Sequence, residues 1–337
     1  MNYITITALT VVFAGLIAIS FGPIYYLSIV IIICYYLLLA IGWNIIAGYT
    51  GLPSFAQVAF ASLAGYASAL SIGFIHLPIY VGILLGIIFT TGIAIALGYG
   101  SVKLTGTYFA LATIAFSEGF RQFLYADVPL TGGGAGYFTI SLIPNGSTFD
   151  YYYLFVGVGA IGVYLSYRLA KSKLGLLMRS VGSDEQTAAM VGVNVSRIRL
   201  YAFAISALYA AVGGLLYVHY SLILFPDHGN LTEMATVVVI VLFGGLGTVL
   251  GPVVGAAIMI LVREYIVSMV GPYDVLVFGI LIIIMMRFAR AGVVGSVESF
   301  FASRRKKALN IDDTGGEDKS TDISETVLIG KSNPEKK

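Results

Sequence analysis

The chain has 337 residues, 58% of them hydrophobic and only 11% charged, with a net charge of +2. That balance is too apolar for a soluble domain of this length, and no nucleic-acid partner is expected. The charges are unevenly spread: residues 302–337 hold eight Lys/Arg and seven Asp/Glu, leaving 11 basic and 10 acidic residues for residues 1–301.

Apolar runs of roughly 17–25 residues, long enough to cross a hydrocarbon core of about 30 Å, recur through the first 301 residues. The expected spans are 4–21, 24–46, 55–72, 79–98, 108–123, 152–169, 199–222, 234–250, 252–266 and 275–288. The sequence therefore predicts an all-α polytopic membrane protein with about 10 transmembrane helices in a transmembrane domain, 1–301. The first run lacks a basic n-region and a small-residue cleavage site, so it reads as a retained span and not a removed signal peptide.

Between the second and third spans lies Gly48-Tyr-Thr-Gly-Leu-Pro-Ser54, flanked by the uncharged polar residues Asn44 and Gln57. Backbone freed from a helix at membrane depth is tolerated where it is buried in protein or lines a cavity. Asn44 and Gln57 are expected to cap such freed groups, or else to touch a solute. Farther on, Glu118 is the main ionisable group deep in a span, with Arg121 one turn away as its neutralising partner.

Next comes a basic island of about thirty residues carrying Arg168, Lys171, Lys173, Arg179, Arg197 and Arg199. Within it, Ser183-Asp-Glu-Gln-Thr-Ala-Ala-Met-Val-Gly192 predicts one short capped helix. Ser183 stands as N-cap with Gln186 as its capping-box partner, Asp184 and Glu185 suit the positive end of the dipole, and Gly192 stops the helix. A short stiff helix outside the bilayer points to a docking partner, with the loop 170–198 as the coupling element. An ordinary amphipathic loop is the alternative.

A second interrupted turn, Gly244-Gly-Leu-Gly-Thr-Val-Leu-Gly-Pro252, separates the eighth and ninth spans. Interrupted segments at corresponding places in two halves point to a transport pathway; plain hairpin turns are the alternative. On the first reading Asn44, Gly48, Gly51, Ser54, Gln57, Glu118, Gly244, Gly245, Gly247 and Gly251 belong to that pathway. Small residues four apart, as in Ala61/Gly65/Ala69, Ser206/Ala210/Gly214 and Gly247/Gly251/Gly255, predict close helix packing.

The positive-inside rule places the island and the end of the last span, with Arg287, Arg290 and Arg304-Arg-Lys-Lys307, on the cytoplasmic side. Four spans separate them, so the two placements agree, and both termini fall inside. Nine of the 11 basic residues of the membrane portion then face the cytoplasm, Arg121 and Arg263 being the exceptions. The sequons at Asn145 and Asn230 fall outside and the one at Asn194 inside. The tail 302–337 is mixed in charge and poor in aromatics, which predicts a disordered polar cytoplasmic segment.

Chemistry is sparse. The single Cys34 sits in an apolar run, and His76, His219 and His228 have no ligand spacing, so no metal site is expected. Glu325-Thr-Val-Leu-Ile-Gly-Lys-Ser332 imitates a phosphate-binding loop but lacks its opening glycine and its strand-to-helix context. No nucleophile, base and acid stand in a catalytic arrangement. Buried carboxylates for proton coupling are nearly absent, which argues against a proton-driven carrier.

Taken together, these motifs resemble the membrane permease subunits of branched-chain amino-acid ABC transporters, of the LivM type within the LivH/LivM group. The resemblance covers about residues 25–295. It is carried by Ile41-Gly-Trp-Asn-Ile-Ile-Ala-Gly-Tyr-Thr-Gly-Leu-Pro-Ser-Phe-Ala-Gln57, Leu104-Thr-Gly-Thr-Tyr-Phe-Ala-Leu-Ala-Thr-Ile-Ala-Phe-Ser-Glu118, Leu130-Thr-Gly-Gly133, Asp184-Glu-Gln-Thr-Ala-Ala-Met-Val-Gly-Val-Asn194 and the 244–252 turn. The chain departs from the family at Gly134-Ala135-Gly136, where a Pro-Asn-Gly step is usual. A second departure is Arg287-Phe-Ala-Arg-Ala-Gly292, where Arg-Pro-Arg-Gly is usual.

The resemblance implies a cell membrane protein of a bacterium or archaeon that is not itself an enzyme. It implies four kinds of partner: a homologous LivH-type permease, two ABC ATPase subunits that bind the ATP and Mg, an extracytoplasmic substrate-binding protein, and membrane lipid. No cofactor is expected in this chain. Ser183, Asp184, Glu185, Ala188, Ala189 and Gly192 would couple to the ATPase. The implied cargo is branched-chain or similar apolar amino acids. Urea, short amides, nucleosides or sugars remain open as cargo, as does a self-sufficient secondary carrier.

Overall fold

The computed structural model describes residues 24–104, 106–144, 146–270 and 279–280. The expected first span, the tail 302–337, Asn145, Arg287 and all but two residues of the expected last span lie outside them. α1 (Ile24–Trp43) continues unbroken through a π-turn, Asn44–Tyr49. α2 (Gln57–Gly73), α3 (Ile79–Ser101), α4 (Gly106–Ala126) and α5 (Thr148–Lys171) follow. Then come two short helices, α6 (Lys173–Ser183) and α7 (Glu185–Met190), and finally α8 (Val195–Ser221), α9 (Leu231–Gly244) and α10 (Gly251–Val270).

Four of these are long and apolar enough to cross a membrane: Ile24–Tyr49, Ile79–Ser101, Thr148–Lys171 and Val195–Ser221. The all-α polytopic reading holds, with one small exception. Tyr137–Phe138 (β1) pairs antiparallel with Ile223–Leu224 (β2) in a two-residue ladder.

Helix limits differ from the apolar runs where polar caps intervene. α5 starts at Thr148, earlier than 152, because the Asp150 carboxylate accepts from the Ser147 amide (2.8 Å) and hydroxyl (3.0 Å). That reciprocal cap satisfies donors that the first turn leaves open. α9 has only 14 residues, about 21 Å at 1.5 Å per residue. It begins where the Asn230 side chain accepts from the Glu233 amide (2.8 Å) and ends at Gly245, whose φ of +128° does not fit a helix.

α8 is the central column and packs on α1, α2 and α3, while α1 also packs on α5, α9 and α10. In lipid such contacts depend on how closely backbones approach, and the predicted small-residue stripes of α2 and α8 meet each other. A Cβ added at Gly214 would lie 2.1 Å from the Ala61 carbonyl oxygen, so the two helix backbones touch there. Cys34 of α1 is buried facing Gly159 of α5.

Gly214→Ile should therefore force α8 off α2. We expect several-fold less folded protein in detergent extracts by size-exclusion chromatography. An unchanged monodisperse yield would show that the helices do not depend on this contact.

Candidate functional site

The two interrupted turns predicted from opposite halves are a single structure. The Asn44 amide donates to the Thr248 carbonyl (2.8 Å), and its Oδ1 accepts from the Gly247 amide (2.7 Å). A Cβ at Gly48 would fall 2.7 Å from the Gly247 nitrogen, so the backbones are in contact. Asn44 is 1% exposed. It thus satisfies two backbone groups of the second turn that no helix supplies with partners, as freed buried backbone requires.

Each turn has its own bracing. The Thr248 hydroxyl donates to the Gly245 carbonyl (2.8 Å) and accepts from the Gly251 amide (2.9 Å). Gly244 and Gly251 pack backbone to backbone beneath it, since a Cβ on Gly244 would sit 1.8 Å from the Gly251 carbonyl oxygen. In the first turn the Trp43 indole donates to the Ser54 carbonyl (2.7 Å), and the Ser54 hydroxyl accepts from the Ala56 amide (3.3 Å).

Gln57 makes a reciprocal pair with α8: its amide donates to the Ser206 carbonyl (3.0 Å) and its Oε1 accepts from the Ser206 hydroxyl (2.8 Å). Gly51, at φ +70°, faces Gly182.

That last contact joins the turns to the basic island. A Cβ at Gly182 would lie 2.3 Å from the Tyr49 carbonyl oxygen, so α6 lies directly on the π-turn. The Arg179 guanidinium stands 4.7 Å from the centre of the Tyr49 ring, within cation–π range. Gly182→Val should wedge α6 away from Tyr49. A rise in protease cleavage between 172 and 194, with the membrane helices intact, is the expected result; wild-type protease resistance would count against it.

The island differs from expectation in one respect. Ser183 is not an N-cap but the last residue of α6, and two helices stand where one was expected. Asp184, extended at φ −155°, is the cap: its carboxylate accepts from the Gln186 (2.9 Å) and Thr187 (3.1 Å) amides. A carboxylate with an extended backbone meets the cap geometry, and this leaves the neighbouring hydroxyl redundant. Gln186 offers its backbone and not the predicted side chain. Bonds from the Thr187 hydroxyl and amide, with that from Gln186, hold the Asp184 carboxyl below its usual range.

α7 ends in a Schellman turn. Gly192 is at φ +87°, its amide donates to Ala189 (3.0 Å), and the Val193 amide donates to Ala188 (3.1 Å). Ala188 is buried, whereas Met190 and Val191 are among the most exposed apolar side chains.

Glu185 is bound within the chain. Arg199 of α8 clamps it bidentately, Nη1 to Oε1 at 2.9 Å and Nη2 to Oε2 at 2.7 Å. The Arg199 side chain is 9% exposed and that of Glu185 53%. Sequence reasoning named both residues but did not pair them.

Glu118 stands apart from the turns. Arg121 binds it at i, i+3 (2.6 and 3.0 Å), as the spacing predicts, and also reaches Asp227 (2.9 Å). Two further groups went unnamed as site residues. Glu233 and Arg263 come together with Tyr36 across three helices. Their only sequence signal is polarity at span ends. Among the described residues no group of three His, Cys, Asp or Glu side chains is placed to hold a metal.

Residues 25–286 match the model of the branched-chain amino acid transport system / permease component family. The permease protein LivM of the high-affinity branched-chain amino acid transport system of Salmonella typhimurium is 26% identical over 290 residues, covering 77% of this chain and 67% of that protein. LivH of the corresponding Escherichia coli system is 24% identical over 289 residues, 78% of this chain and 92% of that protein. The xylose transport system permease XylH of Escherichia coli matches a shorter stretch, 33% identical over 103 residues, or 29% of this chain and 25% of that one. No solved structure matches. The chain belongs to the branched-chain amino acid transport system / permease component family and is a membrane permease subunit.

Proposed function

We propose that the chain forms half of the pathway of an ABC importer for branched-chain or similar apolar amino acids, driven by ATPase subunits in trans. A LivH-type permease would be its other half, and an extracytoplasmic binding protein would deliver the solute. The chain would lie in the cell membrane with ten spans and with both termini, and the tail 302–337, on the cytoplasmic side. The observation that carries this reading is the contact of the two short helices with both turns. α7 follows α6 directly, Gly182 of α6 sits on Tyr49 of the π-turn, and Asn44 ties that turn to the second, while the Glu185–Arg199 clamp separately anchors α7 to α8.

Mechanically, an ATPase closing beneath the bilayer would push on α7, whose exposed Met190 and Val191 give it an apolar face to grip. α6 would pass the displacement to Tyr49. The paired turns would move as a unit, because Asn44 ties them, and the helices they end would tilt to open one side at a time. The chain's part is leverage and lining, with ATP and Mg held by its partners. LivM and LivH are named for branched-chain amino acid systems, which supports the cargo assignment.

The test is co-purification followed by reconstitution. The chain should leave the membrane with ATPase subunits, and leucine uptake into proteoliposomes should require them, the binding protein and ATP. Gradient-driven uptake by the chain alone would replace this reading with that of a secondary carrier.

A further inference from the structure

We propose that the groove where α5 and α8 flank Leu38 of α1 seats an anionic phospholipid of the cytoplasmic leaflet, with an acyl chain in the groove and the phosphate on Arg168 and Arg197. The groove holds about 170 Å³ and is lined by Val158, Ile161 and Leu165 of α5 and by Leu208, Tyr209 and Val212 of α8. The one hydroxyl among these side chains, that of Tyr209, is spent on the Gly162 carbonyl (2.8 Å). The groove therefore offers dispersion contact, which suits a hydrocarbon and not a solute that needs hydrogen bonds.

Its size favours a slender occupant. An α-helix with its side chains measures about 10–12 Å across and could only lie over such a groove, whereas a stretch of acyl chain enters it. Gly162 keeps the floor open, since a Cβ there would lie 2.8 Å from Leu38 Cδ2.

Depth matches one leaflet. At 1.5 Å per residue along α5, the stretch from Leu165 to Val158 lies roughly 5–15 Å from Arg168. That is the acyl half of a core about 30 Å thick. Ile161 and Arg168 are seven apart, two helical turns, and so share a face. On α8 the same spacing joins Leu208 to Tyr201, and Arg197 follows one turn beyond. All five of these side chains are exposed. Each apolar stripe thus runs out into an arginine at the end of the molecule where α6 packs on both helices.

Charge decides the headgroup. Among the described residues neither Arg168 nor Arg197 forms a salt bridge. The acidic groups of the island are engaged elsewhere, Glu185 by Arg199 and Asp184 by its own cap amides. Guanidinium forks take phosphate oxygens in pairs, Tyr201 supplies an aromatic at the membrane interface, and anionic lipids draw basic groups to the cytoplasmic surface. A lipid held there braces the end of α5 from which α6 departs, and with it the seat of α6 on Tyr49. The site goes beyond the importer reading and depends on neither its cargo nor its partners.

The experiment uses the full chain in mild detergent, titrated with dioleoylphosphatidylglycerol or dioleoylphosphatidylcholine, with bound lipid counted by native mass spectrometry. Phosphatidylglycerol should bind at least tenfold tighter than phosphatidylcholine, whose acyl chains are the same. Arg168→Gln and Arg197→Gln should each weaken phosphatidylglycerol binding about fivefold, and together about thirtyfold. Equal affinity for the two lipids, or wild-type affinity in the double variant, would overturn the proposal.

A second measurement leaves the arginines untouched, in case their loss prevents folding. With p-benzoylphenylalanine in place of Leu208, illumination of intact membranes should add the mass of a phospholipid to the chain. A crosslink to residues 4–21, to an ATPase subunit or to another permease chain would show that protein covers the groove, and would equally overturn the proposal.

Discussion

Glu185→Arg should abolish most transport while leaving the chain inserted in the membrane. The substitution opposes a second guanidinium to Arg199, which is 9% exposed and keeps no other partner for Nη1 and Nη2 among the described residues. Leaving a nearly buried charged donor unpaired costs about 1–3 kcal/mol. Because Glu185 is half exposed and the pair is partly screened, the lower end applies to stability. The larger effect is on geometry, since α7 loses its only ionic tie to α8. ATP-driven leucine uptake in proteoliposomes should fall by roughly tenfold or more, since about 1.4 kcal/mol of lost coupling already suffices for that. The swap of Glu185→Arg with Arg199→Glu should recover most of it. Full transport by the single variant would remove α7 from the drive train.

Asn44→Leu should be the most destabilising single change at the paired turns. Leucine shares the branch point and side-chain heavy-atom count of asparagine but neither donates to the Thr248 carbonyl nor accepts from the Gly247 amide. Each buried backbone group left unpaired costs about 1–3 kcal/mol, so the pair costs about 2–6 kcal/mol. That is a large share of a typical domain's stability. A thermal melt of the detergent-purified protein should show a midpoint several degrees lower, and uptake should fall with it. Asn44→Asp separates the two bonds: it still accepts from Gly247 but meets the Thr248 oxygen with a buried charge, so it should be worse than leucine. An unchanged melting midpoint for Asn44→Leu would mean that the turns are held by glycine packing alone.

Four spans among the described residues were legible because the length and apolarity of their runs answer to bilayer thickness, a constraint that acts locally along the chain. α3 and α8 lie within a few residues of their expected places for that reason. The ends were harder, since α5 and α9 start on polar residues, Ser147/Asp150 and Asn230/Glu233, that a hydropathy window counts against a helix. Both interrupted turns were visible as glycine runs. That they touch was not, because the bond from Asn44 to Thr248 joins residues two hundred positions apart and nothing in either segment names the other. The same holds for Glu233 and Arg263. Ser183 and Asp184 failed differently: both residue types cap helices, and only the extended backbone at Asp184 decides between them.

The burial of Cys34 against α5 has a practical consequence. The chain carries one cysteine, and that residue is 3% exposed, so a water-borne maleimide finds almost nothing to label on the native protein. A single cysteine introduced at Met190, 84% exposed, would then report which side of the bilayer α7 occupies without any need to strip the background first.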